Sequence, residues 1–135
     1  MKERNKSRLY VALQYRGAGR PGYHVGLLLV PKHESPDPNT KDAYRYHATN
    51  SFAPHATIGK DGRPFWRYEH GWVKSTQVEN IVARVLVAKL PGCEFQQQAL
   101  RIAREVEHVV LVQENSSWRC HHWLWAAMDH LRALG

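Results

Sequence analysis

"YHVGLLLVPKHESPDPNTKDAYRYHATN", residues 23–50, holds two strand-like runs on either side of a polar, proline-bearing stretch. In the first run, 23–32, the two-residue period of an extended chain puts Tyr23, Val25, Leu27 and Leu29 on one face. His24, Gly26, Leu28 and Val30 fall on the other. Apolar residues on both faces mark a strand covered on both sides, so this run reads as central in its sheet. The second run, 43–50, puts Arg45, His47 and Thr49 on one face and Tyr44, Tyr46 and Ala48 on the other. Two strands close in sequence thus each carry one histidine, and the fold hinges on how they pair.

Working outward, 7–16 alternates through Leu9, Val11, Leu13 and Tyr15 and reads as a strand. Gly and Pro punctuate 17–22, which reads as a turn. Residues 51–64 read as loop, with Asp61-Gly62 as a hairpin-turn signal. Segments 65–73 and 80–90 are strand-like. Phe95, Ala99, Ile102 and Val106 recur at helical spacing, which makes 93–106 a helix. Residues 108–113, "HVVLVQ", read as a short buried strand. The last segment is a second helix with Trp123, Leu124, Ala127, Met128, Leu131 and Leu134 in one apolar stripe. The expected class is α+β: a small antiparallel sheet with two helices.

The chain has 135 residues, 43% hydrophobic and 23% charged, which fits one globular domain over 1–135 with a flexible basic start at 1–8. Two cysteines, Cys93 and Cys120, are too few for a secreted disulfide framework. The start "MKERNKSR" lacks an apolar leader core, and no run approaches the ~18 apolar residues of a membrane span. A cytoplasmic protein is expected. The formal charge of +7 admits an acidic partner such as nucleic acid. Its scatter along the chain also fits a solvated basic surface.

The closing stretch "ENSSWRCHHWLW", 114–125, carries the chemistry. Ser116 and Ser117 suit a helix N-cap, and Cys120 then falls in the first turn. There, unpaired backbone N–H groups favour a thiolate. His121 and His122 are too close in sequence to serve Cys120 as a base, so the base must come from elsewhere, and His24 and His47 are the candidates. The plainer readings are a buried inert thiol at Cys120, satisfied core histidines, a structural Cys93, and Trp66 and Tyr68 as core or cleft wall. No zinc spacing, phosphate loop or dinucleotide fingerprint is present, so no metal and no cofactor is expected.

A histidine on an early strand, a second on the next, and a cysteine opening a late helix resemble the circularly permuted NlpC/P60 enzymes. These are papain-like cysteine enzymes of the lecithin:retinol acyltransferase type. Their Asn-Cys-Glu-His-Phe motif is matched here by "RCHHW", 119–123, with Arg119 and His121 as departures. The resemblance implies a permuted papain-like fold, Cys120 as nucleophile, His24 as general base and His47 orienting it. Trp66, Tyr68, Trp118 and His122 are the candidate substrate-binding residues. The "YH", "RYHA", "W-x-Y-E" (Trp66 to Glu69) and "W-x-C" (Trp118 to Cys120) signatures also resemble a family of small fungal proteins. The expected function is a cysteine-dependent hydrolase or acyltransferase on an ester, thioester or amide of a small-molecule or acyl/peptidyl substrate. The alternative is a non-catalytic basic module for RNA or another acidic partner.

Overall fold

β2 (Tyr23–Val30) is the middle strand of a five-stranded antiparallel sheet, as its apolar run requires. β1 (Ser7–Tyr15) pairs with it on one side and β3 (Ala43–Thr49) on the other. β4 (Arg67–Val73) extends the sheet beyond β3, and β5 (Ile81–Leu90) returns to the far edge beside β1. The spatial order is therefore β4-β3-β2-β1-β5. Two helices follow, α1 (Phe95–Val106) and α2 (Cys120–Leu134). The computed structural model describes residues 6–15, 23–34, 37, 39–74, 81–90, 94–113, 115 and 117–134. The turn at 17–22, Cys93, Ser116 and most of the basic start lie outside them.

Both helices pack on one face of the sheet. Leu27 and Leu29 of β2, with Tyr44, Tyr46 and Ala48 of β3, form one core with Ala99, Ile102, Ala103 and Val106 of α1 and Trp123, Leu124 and Ala127 of α2. Two tyrosines tie the layers by hydrogen bonds as well as burial. Tyr46 Oη donates to the Ala99 carbonyl at 2.9 Å, and Tyr68 Oη to the Ala103 carbonyl at 3.0 Å. Each satisfies a hydroxyl that would otherwise be expensive to bury. A second, smaller cluster of Ala12, Leu28, Val30 and Ala43 covers part of the opposite face.

Local chemistry explains the element ends. The Glu94 carboxylate accepts the Gln96 N–H at 3.1 Å and caps α1. Gly62 has φ +79°, in the left-handed region, and completes the tight turn expected at Asp61-Gly62. At the entrance of α2, Ser117 is exposed, and its backbone N–H goes to the Asn115 side chain at 2.9 Å. The reciprocal cap comes from His122, whose Nδ1 accepts the Arg119 N–H at 2.9 Å, three residues back.

Two expectations need correction. Residues 108–113 form no strand, and Val110 is 73% exposed. Val109 and Leu111 pack on the core, but the Gln113 side chain takes the pairing role instead, accepting from Trp66 N and donating to Trp66 O, both at 2.7 Å. Leu134 is exposed, because the stripe of α2 runs past its partners after Leu131.

Gly26 sets how closely β3 approaches β2. A Cβ placed there would stand 2.8 Å from His47 Cβ and 2.9 Å from the Tyr46 carbonyl oxygen, neither of which can swing away. A Cβ on Gly71 of β4 would meet nothing within 4 Å. Gly26→Ala is expected to lower unfolding stability by about 1–3 kcal/mol. Gly71→Ala should stay within about 0.5 kcal/mol of wild type in the same denaturant titration. Equal effects at the two glycines would refute the close approach.

Candidate active site

The register that pairs Leu27 with Tyr46 continues to bring Gly26 opposite His47, and His24 lies two residues further along β2, on the same face. Because residue 26 has no side chain, the two imidazoles can meet across it. His24 Nε2 and His47 Nδ1 are 2.7 Å apart, with the rings edge to face at 75°. Glu69 stands directly across from His47 on β4, with its Oε1 3.9 Å from His47 Nε2. The other carboxylate oxygen receives Arg67 Nε at 2.7 Å and His55 Nε2 at 2.8 Å. Arg67 is itself held by the Ser51 carbonyl at 2.8 Å. The result is a polar chain across three strands, from His24 through His47 to Glu69 and its partners Arg67 and His55.

The electrostatics of this chain are asymmetric. His47 is only 7% exposed. Burial, aided by the positive charge of Arg45, pushes its pKa down to about 3, so it is neutral at ordinary pH. Burial alone would raise the Glu69 carboxyl, but hydrogen bonds from Arg67 and His55 more than offset that and hold it below the usual carboxylate range. A neutral His47 carries one ring proton. The Glu69 charge favours that proton on Nε2, which leaves Nδ1 to accept a hydrogen bond from His24 Nε2–H.

Cys120 is placed differently. It occupies the first turn of α2, 3% exposed. It is at the same end of the sheet as the histidines, because Trp118 packs edge to face on Trp66 at 5.2 Å, just before β4 begins. It is on the other face. Tyr46 and Ala48 point to the helices, so His47 between them points away. The same holds for Glu69 between Tyr68 and His70, and Tyr68 also stacks on Trp123 of α2 at 5.6 Å. The structure therefore unites His24 with His47 on one face of the sheet, while α2, which Cys120 opens, packs on the other.

The four candidate substrate-binding residues all lie on the helix side. Trp66 and Trp118 pair with each other, Tyr68 bonds to α1 and stacks on α2, and His122 caps α2 while stacking on Trp118. Their work in this structure is to fasten the α2 entrance to the start of β4. A cleft of about 350 Å³ beside them is lined by Asn50, Phe65, Trp66, Gln113 and Arg119 among others. Glu69, Arg45 and Gly26 were not singled out as site residues in the sequence. The signal for them was the shared two-residue phase with His24 and His47, which needed the strand register to be used. Among the described residues, no group of three His, Cys, Asp or Glu side chains converges as metal ligands would. No helix among them is long and apolar enough to cross a membrane.

A buried neutral histidine makes stability depend on acid. The folded-state pKa of His47 lies below its unfolded value, so the unfolded chain takes up the proton first. The stability this group contributes is full above about pH 6.5 and is lost as pH falls toward about 3. Glu69, also depressed, adds to the loss in the same direction. Denaturant titrations should show unfolding free energy dropping below pH 6.5 by up to about 1.4 kcal/mol per pH unit on account of His47. His47→Asn should give a visibly flatter slope. Parallel slopes for the two proteins would contradict a buried neutral His47.

No curated protein and no solved structure matches the chain. Over residues 6–135 it matches a family of unknown function, DUF6914, and the chain belongs to that family.

Proposed function

We propose that the chain is an acid–base enzyme whose reacting group is His24, acting in hydrolysis or transfer at an ester, thioester or amide carbonyl. The observation that carries this reading is the 2.7 Å bond between His24 and His47, with the Glu69 carboxylate behind His47. With the His47 proton turned to Glu69, His24 is held in the tautomer whose Nδ1 is basic. It can then take a proton from water or from an acceptor hydroxyl or amine as that oxygen or nitrogen attacks the carbonyl. The imidazolium so formed is stabilised through His47 by Glu69, and it returns the proton to the leaving group. His47 is a positioning residue in this scheme, the role that a carboxylate plays in a Ser-His-Asp arrangement.

A second reading keeps the permuted papain-like architecture and the Cys120 acyl-enzyme. What favours it is the buried thiol in the first turn of α2, at the histidine end of the sheet, with the cleft of Trp66 and Arg119 beside it. It requires His24 and Cys120 to come to one side, which the alternation along β3 and β4 opposes.

Hydrolysis of an aryl ester, an acyl thioester and an anilide by wild type, His24→Ala, His47→Ala and Cys120→Ala separates the two. For whichever substrate is turned over, His24→Ala should lower kcat/KM by about 10²–10⁴-fold, while Cys120→Ala leaves it near wild type. A collapse of activity in Cys120→Ala, with alkylation of Cys120 that slows in His24→Ala, would transfer the chemistry to the thiol. Turnover indifferent to all three substitutions would remove the histidine pair from catalysis.

A further inference from the structure

The tyrosine bonds tie α1 to β3 and β4, and α2 packs on β2 and β3. The β1–β5 end of the helix side is covered less closely, and no residue of β5 is fully buried. A cavity of about 480 Å³ opens there, the size of a small-molecule site. Leu9 and Ala88 form its floor, Gln98 and Ile102 of α1 one wall, and Met128 and Leu131 of α2 the other. Val87 and Leu134, 44% and 54% exposed, stand at its mouth. It is separate from the histidines, which face the opposite side of the sheet, and from Cys120, which opens the far end of α2.

Polar groups in the lining set this cavity apart from a packing defect. Gln98 is only 8% exposed, yet its Oε1 has no hydrogen-bond partner. A buried acceptor left unpaired is expensive, so a group that donates to it stabilises the fold. About one turn further along α1, Arg101 reaches the same cavity, and Arg132 reaches it from α2. Among the described residues Arg101 has no ion pair, and Arg132 has only the exposed Asp129 at 3.8 Å, a weak pairing in water. The carboxylate in the lining, Glu105, is already engaged by His130 Nε2 at 3.2 Å. Two cations over an apolar floor, with an idle acceptor nearby, match an anion that has an apolar body and a donor close to its charge. A second copy of the chain fits less well, because a two-fold contact at this mouth would set the arginines against their own copies.

We propose that this cavity is a binding site for a free amphipathic carboxylate of the N-acyl amino acid class. The acyl chain lies against Leu9, Ala88 and Met128, Arg101 and Arg132 hold the carboxylate, and the amide N–H donates to Gln98 Oε1. Amide and carboxylate are adjacent in such a molecule, as Gln98 and Arg101 are on one face of α1. The site is independent of the histidine pair and of any activity there.

The test titrates the full chain with N-decanoylglycine, decanoate and decanol, each below its micelle concentration, following the Met128 methyl resonance and the unfolding midpoint. N-decanoylglycine should shift the Met128 signal saturably and raise the midpoint, with decanoate weaker and decanol weakest. The double variant Arg101→Met, Arg132→Met should weaken N-decanoylglycine binding at least about tenfold. Both side chains are exposed, so this variant keeps its fold. Gln98→Met should bring N-decanoylglycine down to the affinity of decanoate. Arg104→Met, on the exposed side of α1, should bind as wild type does. Decanol binding as tightly as N-decanoylglycine, or binding indifferent to the two arginines, would mean apolar adhesion only and would overturn the site. So would a Met128 signal that no probe moves. Equal affinity of wild type for decanoate and N-decanoylglycine would overturn the acyl amino acid class. A ligand-free chain that self-associates through this face, and stops doing so in Leu134→Glu, would put a second copy in the groove instead.

Discussion

The hydrogen bonds from Tyr46 and Tyr68 to the backbone of α1 decide which side of the sheet the helices occupy. Each phenol is held well above its ordinary pKa by burial, so the hydroxyls stay protonated donors. Once these two rings face the helices, every neighbour in sequence is assigned by the pleat. His47 follows Tyr46, and Glu69 follows Tyr68, so both must turn to the opposite face. The apolar side of β3 and β4 thereby builds the core, and the polar side is left to gather charge. Structure and site are the two halves of one alternation.

Gly26 then converts proximity into contact. Two histidines on adjacent strands need not touch, and most side chains at position 26 would hold β3 off. Its missing Cβ lets the His47 side chain settle over β2, where it reaches His24 at 2.7 Å. Glu69 completes the polar chain because the β3–β4 register sets it directly across from His47. The arrangement has one neutral member between a titratable group on one side and a clamped carboxylate on the other. That order gives a proton on His24 somewhere to be felt without giving it a path into the core.

Much of this was legible in the residues. The alternation of Arg45, His47 and Thr49 against Tyr44, Tyr46 and Ala48 was readable from 43–50 alone, as was the central place of 23–32. The apolar stripes of both helices were readable too. The sidedness of Cys120 was not, because a helix position says which way a residue faces its neighbours and not which face of a distant sheet it meets. Placing Cys120 with the histidines required the helices to cover the His24 and His47 face, and the tyrosines put them on the other. "HVVLVQ" misled for a different reason. Its composition suits a strand, but the segment meets the backbone of Trp66, just before β4, through the Gln113 side chain, and no periodicity encodes that substitution. The capping of α2 by His122 was hidden in the same way, since serines before a helix are the more usual signal.

The account stands on a neutral His47 that keeps its proton on Nε2, toward Glu69, and accepts from His24 at Nδ1. Long-range ¹H–¹⁵N correlation spectra of the imidazoles report both charge and tautomer directly. From neutral pH down to about pH 4, His47 should remain a single neutral species with Nε2 protonated and Nδ1 showing the shift of an acceptor. A His47 ring that becomes charged near its ordinary value of about 6.5, or that exchanges between tautomers at neutral pH, would contradict the polar chain on which the site is built.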